Sequence, residues 1–116
     1  MTLHKLIDLC LALPDAYEDY PFGDDSGWCV IRHRINKKGF AHIYELYGRL
    51  RVNLKCDPLE ADFLRQAFAS VEPAYHMNKT HWNMVTPGGD VSKNELRRMI
   101  EQSYNLIKPK IKKRKR

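Results

Sequence analysis

Missing first are the short motifs that assemble a catalyst. The chain has no G-x-S-x-G, no Walker sequence and no G-x-G-x-x-G, so a nucleophile elbow, a P-loop and a dinucleotide fingerprint are excluded. Missing too is any run approaching the roughly 20 apolar residues of a membrane span. Cysteine is scarce: Cys10, Cys29 and Cys56 are odd in number, far apart and without a C-x-x-C pair. That excludes a disulfide scaffold and a zinc ribbon, and predicts reduced, buried thiols with no metal and no cofactor. The apolar stretch from Leu3 to Leu13 resembles a signal peptide, but Asp8 interrupts it and Pro14-Asp15 replaces the small residues of a cleavage site. Cys10 likewise lacks the small residues that precede a lipid-attachment site. A cytoplasmic protein is expected.

What is present suits one domain. A length of 116 residues, 43% hydrophobic and 29% charged, supports a single core. The net charge of +6 is unevenly spread. Residues 108–116 read Lys-Pro-Lys-Ile-Lys-Lys-Arg-Lys-Arg and hold seven of the twenty basic residues and no acid. The other thirteen meet all fourteen acids, leaving residues 1–107 at −1. The expected organisation is a folded unit over 1–108 and a basic tail over 109–116, which buries nothing and is read as disordered.

Three helices are predicted. Thr2 caps the first, which carries Leu3, Leu6, Ile7, Cys10 and Leu11 on one face and stops at Pro14. Asp57-Pro58-Leu59-Glu60 starts the second, with Leu59, Phe63, Leu64, Ala67 and Phe68 as its apolar positions. Ser92-Lys-Asn-Glu95 is a capping box opening the third, whose stripe is Leu96, Met99, Ile100, Ser103, Tyr104 and Ile107.

Strands are predicted over 28–35, 40–46 and 50–56, with an edge strand over 17–22 interrupted by Pro21 and a short one over 82–85. A three-residue loop Tyr47-Gly48-Arg49 is the register adopted for the central hairpin. It puts Cys29, Ile31, His33, Ile35, Phe40, His42, Tyr44, Leu46, Leu50, Val52 and Leu54 on the core face. Trp28, Val30, Arg32, Arg34, Ala41, Ile43, Glu45, Tyr47, Arg51, Asn53 and Lys55 then take the other. The predicted core is Leu6, Ile7, Cys10, Ile31, Tyr44, Leu50, Val52, Leu54, Phe63, Leu64, Leu96, Ile100 and Tyr104. No long crossover helices join successive strands, which predicts an α+β domain, an antiparallel sheet with three helices packed on one face.

The densest chemistry lies in Pro73-Ala-Tyr-His-Met-Asn-Lys-Thr-His-Trp-Asn-Met-Val85. With Val52-Asn-Leu-Lys-Cys-Asp-Pro58 and Asp19-Tyr-Pro-Phe22, this segment resembles the MmcQ/YjbR family of small bacterial proteins. The resemblance covers almost the whole chain. It implies a frataxin-like, double-wing α+β fold, a DNA-binding label and no catalytic residues; the basic terminus is outside the family pattern.

Two readings of the segment follow from its residues. As packing, Tyr75, Met77 and Trp82 wedge under a loop whose backbone the polar side chains cap. As a site, Lys79 meets an anion, Asn78 and Asn83 meet amide or base edges, His76 and His81 hydrogen-bond, and Trp82 stacks. An activity at His76, Lys79 and His81 is the enzymatic alternative, but their spacing fits neither H-E-x-x-H nor a Cys/His finger, so no enzyme is expected. His33 and His42 face each other in the adopted register, as core histidines rather than a metal pair, since no third ligand accompanies them. Gly88-Gly89 reads as a turn rather than a phosphate cradle. Arg32, Arg34, Arg51 and Lys55 form a basic stripe on the outer sheet face, with Trp28 and Tyr47 near it to stack. Lys112, Lys113, Arg114, Lys115 and Arg116 provide phosphate affinity. The function expected is binding of DNA or RNA by a monomer; the alternative is a small-ligand or peptide module centred on Tyr75–Trp82.

Overall fold

A computed structural model describes residues 1–110; the tail positions Lys112–Arg116 assigned above to phosphate binding lie outside them. The chain runs α1 (Leu3–Leu11), β1 (Ala16–Asp19), β2 (Cys29–His33), β3 (Gly39–Leu46), β4 (Arg49–Lys55), α2 (Pro58–Ala67), β5 (Val71–Pro73), β6 (Trp82–Val85) and α3 (Lys93–Ile107). Six strands form one sheet in the order β1-β2-β3-β4-β6-β5, antiparallel throughout. All three helices contribute to one core against one side of it. The predicted α+β class and its three helices are therefore present. Among the described residues no helix is long and apolar enough to cross a membrane.

The helix starts follow the local chemistry. Thr2 Oγ1 accepts from the Lys5 N–H at 3.2 Å and Ser92 Oγ from the Glu95 N–H at 3.1 Å, each satisfying a first-turn donor that has no partner within the helix. Asp57 is the N-cap of α2 and Pro58 its first residue, but the Asp57 side chain makes no capping bond.

Three expectations are corrected. The turn after β3 has two residues, since Leu46 pairs with Arg49. Tyr47 and Gly48 both take positive φ, 53° and 74°, as a type I′ turn requires to match the twist of its strands. Removing one residue from the loop moves every β3 side chain to the opposite face. Ala41 and Ile43 therefore meet the helices, while His42 and Tyr44 lie on the far side with Val30, Arg51 and Asn53. Phe40 still reaches the core, because the β2–β3 register shifts after Ile31; it is the extra residue of a bulge. Gly39, paired with Arg32, is required there: a Cβ on it would stand 2.6 Å from Val30 Cγ1. His33 and His42 consequently lie on opposite faces, His33 against Tyr104 and His42 against Trp82.

The second correction is the rotation of α2. Ala61 and Leu64 face the core, while Leu59 and Phe63 are exposed, at 84% and 63%. Asn83 sets this rotation by donating to the Ala61 carbonyl at 3.2 Å and accepting from Arg65 Nε at 2.6 Å. Third, β5 is a strand that the sequence pattern does not announce, and β1 ends before Tyr20 and Pro21. Leu50 is half-buried, and Tyr44 is buried on the side away from the helices.

Ser103 fastens α3 to the sheet. Its hydroxyl donates to the Phe40 carbonyl at 2.6 Å and accepts from the Lys55 N–H at 2.8 Å, and the residue is fully buried. Ser103→Ala strands both backbone groups, at about 1–3 kcal/mol for each. Denaturant unfolding should show the midpoint fall clearly for Ser103→Ala, and move within about 0.5 kcal/mol for the exposed Phe63→Ala. An unchanged Ser103→Ala midpoint contradicts the docking described.

Candidate functional site

The sheet face that the helices leave uncovered carries a second apolar assembly. Its floor is Val30, His42 and Tyr44, from β2 and β3. One wall is Phe22 and Trp28, on the connection from β1 to β2; the other is Tyr75, His76 and Met77, on the connection from β5 to β6. Together they enclose a cleft of about 580 Å³, within the size range of small-molecule sites.

The rings are held by one another. Trp28 stacks on Tyr44 at 4.3 Å with 8° between planes, and Phe22 meets Trp28 edge-on at 6.3 Å. Tyr75 lies 6.3 Å from Tyr44 and 3.9 Å from the His76 ring. Beneath them, fully buried Asn53 accepts from the Tyr44 hydroxyl at 2.7 Å and donates to the Tyr75 carbonyl at 3.0 Å. One side chain thus joins floor and wall. Burial pushes the Tyr44 hydroxyl up to about 12, so it stays protonated and donating.

His42 is the polar group of the floor. Its ring packs edge-on against Trp82 at 5.3 Å. Burial, aided by the nearby Arg32 charge, pushes its pKa down to about 4, so at neutral pH the imidazole carries one donor and one acceptor nitrogen. Among the described residues no hydrogen bond reaches either nitrogen. Arg32 also lines the cleft; its Nε donates to Asp19 at 2.7 Å and its Nη1 to the Lys37 carbonyl at 3.0 Å, leaving Nη2 without an acceptor among the described residues.

The structure divides the sequence-predicted site residues. Tyr75 and His76 line the cleft, His76 in a left-handed backbone conformation with φ 60°. Asn78, Lys79 and His81 are outside that lining; Asn78 Oδ1 accepts from the Thr80 N–H at 2.8 Å and shapes its own turn. Arg65 Nη2 donates to the carbonyls of Lys79 and Trp82. Asn83 is buried and spent on Arg65 and Ala61, so it belongs to the packing reading. Trp82 is half-buried.

The basic stripe is largely paired. Arg51 is buried beside Glu72 (3.4 Å) and the Met84 sulfur, its Nε without a partner among the described residues. Arg34 lies over the Tyr17 ring at 5.2 Å, and Lys55 is half-buried at the end of β4. Sequence reasoning missed Phe22, His42 and Tyr44 as cleft residues; the visible signal was Phe22 and Trp28 flanking Gly23–Gly27.

Among the described residues no three His, Cys, Asp or Glu side chains gather as a metal ion needs. Burial pushes the thiols of Cys10 and Cys56 up to about 12 and about 11, the reverse of an activated cysteine.

Comparison with known proteins identifies relatives. The family model described as YjbR matches residues 11–106. The Escherichia coli O157:H7 protein YbdF is 38% identical over 107 residues, covering 91% of this chain and 84% of that protein. YjbR of Escherichia coli K12 is 30% identical over 104 residues, covering 90% and 85%. Both are named as uncharacterized proteins. A crystal structure of a Pseudomonas syringae protein superposes with a TM-score of 0.85 at 28% identity, over 93% of this chain and all of that one.

Two outcomes follow from this geometry. Asn53→Ala deprives the Tyr44 hydroxyl and Tyr75 carbonyl of a partner and should cost about 1–3 kcal/mol or more, with Trp28 emission shifting as its ring support loosens. His42 binds its proton less readily folded than unfolded, so the unfolded chain takes up the extra proton as pH falls from about 6.5 to about 4. Stability should therefore decline across that window, and His42→Gln should flatten the decline. Identical pH profiles for the two proteins contradict the burial of His42.

Proposed function

The chain belongs to the YjbR family, and from that premise we propose that it is a nucleic-acid-binding protein which lays a single strand across the uncovered face of its sheet. The observation that carries the reading is the cleft of Phe22, Trp28, Tyr44, Tyr75 and His76. A base inside a duplex shows proteins only its edges, whereas an unpaired base offers a face to aromatic side chains. An open sheet face with rings from two loops suits the second.

Phosphate affinity comes from elsewhere. Arg32 and Arg51 are already paired with Asp19 and Glu72, and residues 1–107 sum to −1. The seven basic residues of 108–116 are the chain's concentrated positive charge, and in this reading they hold the backbone while the cleft holds bases. It is a binding module, not an enzyme. The three free, buried cysteines suit a reducing compartment, and we place the protein in the cytoplasm.

The test compares the full chain, a version ending at Ile107 and Trp28→Ala for binding of a fluorescent oligothymidine across a salt series. Truncation should lower the slope of log affinity against log salt by about 0.7 for each phosphate that the tail had neutralised. Trp28→Ala should leave the slope alone and cost about 1–3 kcal/mol, one stacked base. Equal affinity for all three proteins overturns the reading.

A further inference from the structure

The cleft holds more than a stacking surface requires. A platform that tracks any strand needs ring faces and cations, and sequence-tolerant stacking uses no edge contacts. Here the rings stand around a recess that also bears hydrogen-bonding atoms without partners among the described residues. His42 has both ring nitrogens unbonded among the described residues, and Arg32 retains Nη2 after satisfying Asp19 and the Lys37 carbonyl. Gly39 keeps the recess open at this point, since a Cβ there would lie 3.1 Å from His42 Nε2 and closer still to Val30. The one residue type that leaves His42 and Val30 undisturbed occupies the bulge beneath them.

We propose that the cleft is a pocket for one purine base, its faces against the aromatic walls and its acceptor edge on Arg32 and His42, able to bind a free purine nucleoside as well as a base within a strand. This rests on the nucleic-acid reading and deepens it. Arg32 is donor-only, and the neutral His42 ring adds one donor and one acceptor. Guanine presents two adjacent acceptors, O6 and N7, on one edge, whereas adenine presents an acceptor beside a donor. A donor-rich floor therefore ranks guanine above adenine. Uracil has no N7 and a smaller stacking face, and ranks last. The low pKa of His42 keeps the ring neutral beside the Arg32 charge, with one N–H left to donate to that edge. One wall of the recess is also tied to its floor through Asn53, and the other stacks on that floor through Trp28 and Tyr44, so little ordering is left for the ligand to bring about.

The test uses the full chain and free guanosine, adenosine and uridine as probes, following backbone amide shifts of Val30, His42 and Tyr75 by NMR. Guanosine should move all three and bind about tenfold more tightly than uridine, the size of one edge contact. His42→Phe keeps a ring of similar bulk and should lose about tenfold for guanosine. His42→Gln, with a donor and an acceptor, should recover most of it; its recovery also guards against a variant that merely packs badly. Unmoved shifts at millimolar guanosine, with an oligonucleotide still shifting them, overturn the pocket and leave the strand-binding reading standing. Equal guanosine affinity for wild type and a folded His42→Phe overturns the edge contact. Silence towards both nucleosides and oligonucleotides overturns both proposals.

Discussion

Two residues join β3 to β4, and that number decides which side chains meet the helices. With Tyr47 and Gly48 both at positive φ, Leu46 sits opposite Arg49 and the ladder runs back to Ala41 opposite Leu54. Every face assignment in the centre of the sheet depends on this register. Ile43 and Val52 join the helix-side core, and Tyr44 and Asn53 are sent to the other side. A loop one residue longer would bury His42 under α3 and leave the cleft without a floor.

The two faces are then built by different means. The helix side is closed by apolar burial, with Leu6, Ile31, Ile43 and Ile100 all at 1% exposure or less, and Ser103 as its polar fastening. The other side has no helices, so its polar groups bind loops. Asn53 anchors the segment at Tyr75 from this side, while from the helix side Arg65 of α2, itself held by Asn83, anchors it at Lys79 and Trp82. The chemically dense segment is thus held at both ends by residues outside the cleft lining, with the exposed positions between them. Packing and cleft lining are two parts of one segment.

This division explains what could be read from the sequence. Helix starts were legible because a cap is a local matter: Thr2 and Ser92 act on N–H groups three residues on. Strand β6 was legible to the residue. The rotation of α2 was not, since Leu59/Phe63 and Ala61/Leu64 both fit a helical period and only the distant Asn83 chooses between them. The face of β3 was lost to a single loop residue, and β5 is too short to announce itself. Of the cleft, Tyr75, His76 and Trp28 stand out in the sequence by their chemistry. Tyr44 and His42 read there as core residues, because joining rings from three stretches of chain requires the register first.

Both margins of the sheet are abrupt. One ends in a four-residue strand followed within two residues by Pro21, the other in a three-residue strand that finishes on Pro73. Proline donates nothing to a ladder, and strands this short offer an incoming backbone few rungs. Recruiting a peptide by extending the sheet sideways, a common route for antiparallel sheets, is therefore a poor option for this molecule. So is accidental stitching of one copy to the next in a crowded solution. What the sheet offers to its surroundings is its broad face rather than its margins.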